Sequence, residues 1–114
     1  MSVDKKIRDA LLPLGLPVEN SVYQGTAKEY FVFNYTSLGA DFGDDEPGHE
    51  RFLVQVHLFT PLSVNVTARV RAAKRALFGA GFTWPDVENA DDADGRHRVL
   101  ECETAEEADV YGDA

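Results

Sequence analysis

The chain holds one cysteine, one methionine and one tryptophan in 114 residues. A lone thiol, Cys102, excludes an intramolecular disulfide and points to a reducing compartment. Long apolar runs are missing too. Nothing approaches the roughly 20 residues of a membrane-spanning helix, and residues 1–20 lack a secretory signal. The Asn-x-Thr sequons at Asn34 and Asn65 therefore lack the setting that would give them meaning. Positive charge is scarce: 11 Lys and Arg stand against 20 Asp and Glu, a formal charge of −9. Phosphate affinity accumulates from Lys and Arg, so no direct nucleic-acid binding is expected, and no membrane binding either.

Catalytic signatures are also absent. His49, His57 and His97 form no His-x-x-x-His or Cys-x-x-Cys pair, so their spacing offers zinc nothing. His57 falls mid-strand and reads as a packed or interface imidazole, and Cys102 as a buried thiol. No Gly-x-Ser-x-Gly elbow activates Ser21, Ser37 or Ser63. "GAGF" at Gly79–Phe82 follows a helix instead of opening one, so it cannot offer a phosphate the amide donors of a helix N-terminus. The expectation is a protein without catalytic residues or cofactor, and an interaction role rather than an enzyme.

What is present is enough for one small core. Hydrophobic residues make up 44% and aromatics 11%, which argues against wholesale disorder. "SVDKKIRDALLPLG" starts with an N-cap serine, Ser2, places Val3, Ile7, Ala10 and Leu11 on one helical stripe, and stops near Pro13 and Gly15. "NSVYQG" reads as a short strand or an extended arm. "KEYFVFNYTS" and "RFLVQVHLFTP" alternate with apolar groups on both faces, as inner strands do when helices or another subunit cover each side. A helix over approximately Val66–Ala80 follows, capped by Ser63 or Asn65, with Val66, Val70, Ala73 and Leu77 inward. Phe82 and Trp84 are the expected packing anchors of an irregular return, and "RHRVLECE" is a last strand. The fold class is α+β: one mostly antiparallel or mixed sheet of about four strands packed with two helices. Residues 1–103 form the domain, and residues 104–114 an acidic polar tail.

"NADDADGRHRVLE" matches the spacing of a calcium loop. Counted from Ala90, Asp92 is third, Asp94 fifth, Gly95 sixth and Glu101 twelfth. The first position lacks its aspartate, and the flanks read as irregular chain and strand instead of helices. Asp92, Asp94 and Glu101 are thus the metal candidates, against the reading of a plain acidic turn.

Charge is unevenly distributed. Asp41, Asp44, Asp45, Glu46 and Glu50 crowd the loop Leu38–Glu50, and eleven acids follow from Asp86 onward against Arg96 and Arg98. Between them "TARVRAAKRALF" carries Arg69, Arg71, Lys74 and Arg75 with no acid. Such a split can steer one copy of a protein onto another. The long loop, beyond what a small fold needs, is expected to order on docking.

The run "RFLVQVHLFTPLSVNVTARVRAAKRALFGAGFTWPDVENADDADGRHRVLECE", preceded by "EYFVFNYT" and an acidic loop ending "DDEPGHER", resembles small tail proteins of long-tailed bacteriophages and prophages. The family is that of tail terminator, or tail-completion, proteins, and the likeness spans roughly residues 5–104. The resemblance implies an α/β sandwich that assembles into a ring, commonly hexameric. Such a ring caps the tail tube, stops its polymerisation and presents a surface to the head connector. The implied partners are further copies of the chain, the tube protein and connector proteins. The implied location is the host cytoplasm during assembly and then the head-proximal end of the virion tail. The family carries no catalytic residues. Head–tail joining and minor tail proteins are the neighbouring alternatives, and a small acidic metal- or ligand-binding regulatory domain is the competing class. Arg69, Arg71, Lys74 and Arg75, with Asp41, Asp44, Asp45 and Glu46, are the expected subunit or tube contacts, since opposite charges on separate segments suit a head-to-tail interface.

Overall fold

The computed structural model describes residues 2–42 and 47–107, with side chains described outside 38–49 and 106–107. Helix α1 (Val3–Leu11) runs into a short 3-10 turn (Leu12–Leu14). The rest is β1 (Val18–Asn20), β2 (Tyr30–Phe42), β3 (Pro47–Thr60), helix α2 (Val66–Gly79), β4 (Asp86–Asn89) and β5 (Arg96–Glu107). The strands form one sheet in the order β1-β2-β3-β5-β4. β1 lies parallel to β2, and every other pairing is antiparallel. The α+β class with two helices is as expected. The additional strand is β4, which the sequence presents as an irregular return, and the short strand or arm expected over "NSVYQG" falls instead on Val18–Asn20, with Ser21–Gly25 outside any strand. Among the described residues no helix is long and apolar enough to cross a membrane.

Local chemistry sets the helix ends. The Ser2 side chain accepts from the Lys5 N–H, and Asn65, rather than Ser63, caps α2 by accepting from Ala68 N–H. α2 stops in a Schellman turn. Gly81 N–H donates to Phe78 C=O, Phe82 N–H donates to Leu77 C=O, and Gly81 takes φ 104°, where a side chain would be strained. That turn drops Phe82 onto Leu77 in the core.

The core lies on one side of the sheet. Phe31 and Phe33 of β2, Val54, Val56 and Leu58 of β3, and Leu100 and Cys102 of β5 share one alternating face. They meet Val3, Ile7 and Leu11 from α1 and Val66, Val70, Ala73 and Leu77 from α2. Both helices therefore cover the same face. Arg8 pairs with Asp4 within α1 (2.6 Å) and fastens the helix to the sheet edge by donating to Val18 C=O (2.8 Å).

Three sequence expectations are corrected. The segment Leu38–Glu50 is mostly strand: β2 continues to Phe42 and β3 starts at Pro47, with register shifts between Ser37 and Gly39 and between Ala40 and Phe42 that leave Leu38 and Asp41 without ladder partners among the described residues. Thr104–Glu107 belong to β5 and not to a polar tail, because Phe52, Arg51, Glu50 and His49 of β3 supply their ladder partners. Trp84 is not an anchor. Its side chain is 52% exposed, whereas Phe82 and Pro85 on either side are buried.

Candidate interaction surfaces

With both helices on one face, the other face of the sheet has no helix against it among the described residues. Alternation places Val32 and Asn34 of β2, Leu53 and His57 of β3, and Val99 and Glu101 of β5 there. The expectation of cover on both sides of β2 and β3 is thus met by helices on one side alone. At one end of this open face the rings of Tyr23, Tyr30, Phe59 and His97 form a continuous stack, with centroids 4.3, 5.0 and 4.2 Å apart in turn. Tyr23 comes from the loop after β1, where Ser21 takes a left-handed φ of 67° and turns the chain back across the sheet edge.

Beside this stack His57 Nδ1 lies 2.8 Å from His97 Nε2, and Asn34 Nδ2 lies 3.4 Å from His57 Nε2. The two imidazoles share one hydrogen bond, so one ring donates and the other accepts. Burial lowers the pKa of His57, and the His97 ring lowers it further. Burial also lowers His97, against the opposing pull of Asp92 and Asp91. Sequence spacing could not have found this pair, because it depends on the β3–β5 register that sets Phe59 opposite His97. Among the described residues no third His, Cys, Asp or Glu joins a metal-holding group here or elsewhere.

The calcium-like stretch is a hairpin turn between β4 and β5. Asp92 Oδ1 accepts from the N–H groups of Asp94 (2.8 Å) and Gly95 (3.2 Å), and Asp92 pairs with Gly95 as an isolated bridge. A Cβ at Gly95 would stand 2.8 Å from Thr60 O, so close backbone approach explains the glycine without a metal. Asp91 accepts from His97 N–H, Arg96 and Arg98, and the Arg98 hydrogen bond is the largest reason its pKa is lowered. Glu101 stands out along β5, opposite Gln55 and Asp86, and is not brought into a shared site with Asp92 and Asp94. The aspartates of the turn thus serve its backbone and its arginines.

The four cations of α2 divide into two groups. Arg69 is engaged within its own chain, its guanidinium reaching both oxygens of Glu29 (2.8 and 3.3 Å). Lys74 Nζ sits 5.9 Å from the centre of the Trp84 ring. Arg71 and Arg75 are exposed and make no ion pair among the described residues. Phe78 is 56% exposed and packs edge-on to Trp84 at 5.5 Å, so two large aromatics stand in water beside the basic stripe. Of the expected acidic contacts, Asp44, Asp45 and Glu46 lie outside the described residues, and Asp41 is described only as backbone in β2.

A cavity of about 400 Å³ opens at the stacked end of the sheet, between Lys28, Tyr30, Phe59, Asp92, Arg96 and His97. Cys102 is buried, and burial pushes its thiol up to about 12, which excludes a nucleophilic thiolate near neutral pH. The chain matches no protein-family profile, and no curated protein matches it.

Proposed function

We propose that this protein is a structural component of a phage or prophage tail, a terminator that assembles head-to-tail with further copies of itself. The assembly caps the tail tube, ends its growth and offers the head connector a surface. The observation that carries this reading is the one-sided sheet. Among the described residues both helices lie on one face, so the half-buried Val32, Leu53 and Phe59 of the other face have no second layer over them.

Two further features support it. β2 has 13 residues and α2 has 14, so the strand spans about 44 Å and the helix about 21 Å. The β2–β3 hairpin with the end of β5 therefore projects well past the helical layer, as an arm able to reach a neighbour. The principal extents of 52 × 25 × 23 Å agree with such an arm. The separation of basic α2 from the acidic segments also suits contacts between unlike surfaces, which close into rings. The family resemblance of the sequence supplies the biological setting.

The reading is tested by mixing the purified chain with tail tubes from the phage or prophage that encodes it and imaging them in negative stain. Added density at one tube end is the expected result. Bare ends at saturating protein would sink the reading.

A further inference from the structure

We propose that the exposed face of α2 in one copy docks on the open sheet face of a second copy, over the carboxylates of β4 and β5. This deepens the assembly reading above and rests on it only for self-association, not for the tail. On the donor side, Arg71, Lys74, Arg75 and Phe78 follow one helical stripe, and Trp84 packs against it. Aromatic and arginine side chains presented together are the composition of an interface hot spot. Phe78 and Trp84 hold each other edge-to-face, so the anchor is ordered before a partner arrives.

On the acceptor side, Asp86 of β4 lies directly opposite Glu101 of β5, with Glu88 on the same face opposite Val99. Like charges directly across a ladder destabilise a sheet, and none of these three acids is in an ion pair among the described residues. Glu103 beyond them is already answered by Arg51 at 2.5 Å. Among the described residues, a row of carboxylates on one side of the sheet and a row of cations on the other thus make no ion pair. In a chain of net charge −9, α2 is, among the described residues, the helix with several cations and no acid. A second copy supplies what each surface lacks. Since the two surfaces lie on opposite faces of the sheet, the contact is heterologous, and copies add front to back.

The experiment measures mass in solution by light scattering across a concentration series, with a charge-swap design. The wild-type chain is expected to self-associate, more weakly at high salt. Arg71→Glu with Arg75→Glu should abolish association, and so should Asp86→Lys with Glu88→Lys. An equimolar mixture of the two variants should recover a complex of defined stoichiometry, because one intact and one doubly reversed contact are then available. Circular dichroism checks that both variants fold. A wild type that stays monomeric at millimolar concentration, or variants that associate as the wild type does, would overturn the proposal. So would a failed recovery on mixing, or α2 cations that bind duplex DNA while mass stays unchanged. Tube capping is measured separately, so a failed swap with intact capping removes this interface and leaves the tail role standing.

Discussion

His57 Nδ1 and His97 Nε2 stand 2.8 Å apart on the open sheet face, with the Phe59 ring stacked on His97. That spacing holds one proton between two rings and no room for two. Both pKa values are lowered, His57 by burial and then by His97, and His97 by burial against Asp92 and Asp91. The folded state therefore binds protons less readily than the unfolded chain. Stability from this pair is fully present above the unfolded value of 6.5 and is lost as pH falls through the lowered folded values. The melting temperature should decline between pH 7 and pH 5. In His57→Gln that decline should be shallower, and an unchanged slope would show that the pair does not titrate as a unit.

A second acid window belongs to two aspartates. Burial pushes Asp4 up, but hydrogen bonds from Asn20 and Arg8 and the Arg8 charge leave it below 3.8. Asp91 is lowered chiefly by its Arg98 hydrogen bond. Their contribution is present above the ordinary value of 3.8 and is lost only as pH falls below it. The melting temperature should consequently fall in two pH ranges, one between pH 7 and 5 and one below pH 4. Asp91→Asn should remove much of the second while leaving the first.

The turn that spaces its acids like a calcium site should respond to backbone changes and not to the ion. Gly95→Ala drives a Cβ onto Thr60 O and should cost on the order of 1–3 kcal/mol. Asp92→Ala removes the acceptor for two backbone N–H groups and should cost about 1 kcal/mol. Thermal melts with and without millimolar calcium should coincide. A calcium-dependent rise that Asp92→Ala with Asp94→Ala abolishes would reinstate the metal reading.

Phe82 and Trp84 sit two residues apart and should behave oppositely. Phe82 is buried against the core and Trp84 is 52% exposed. Phe82→Ala should cost about 3–5 kcal/mol. Trp84→Ala should change stability by roughly 0.5 kcal/mol or less while weakening self-association. Paired denaturation and light-scattering curves check both.

Cys102 should be silent to thiol reagents in the folded chain, since its thiol is buried and raised to about 12. Reaction with an aromatic disulfide at pH 8 is expected only after denaturation. Rapid modification of the native protein would contradict the burial.

These features differ in how far the sequence announces them. β2, β3 and both helices are legible because Phe31, Phe33, Val54, Val56 and Leu58, like Val66, Val70 and Leu77, repeat at the period of their element. β4 is not, because it turns one apolar residue, Val87, toward the core and is otherwise polar. The outer halves of β2 and β3 were hidden for a related reason: acids and glycines there signal a loop, while pairing with each other and with β5 keeps them extended. Trp84 reads as core because aromatic residues usually bury, whereas in the fold Pro85 beside it is buried and Trp84 is exposed. The candidate surfaces were half visible. The cation stripe of α2 reads directly from the chain, but the engagement of Arg69 by Glu29 depends on tertiary structure. The His57–His97 pair and the Asp86–Glu101 opposition depend on strand pairing, which no residue pattern specifies alone.

Tail-tube length tests the central claim most directly. On the tail-terminator proposal, deleting this chain from a phage or prophage that carries it should leave tubes, measured by electron microscopy in lysates, that lose their uniform length, grow beyond it and remain unjoined to heads. Supplying the chain in trans should restore both length and joining. Tubes of normal, uniform length attached to heads in its absence would contradict the account.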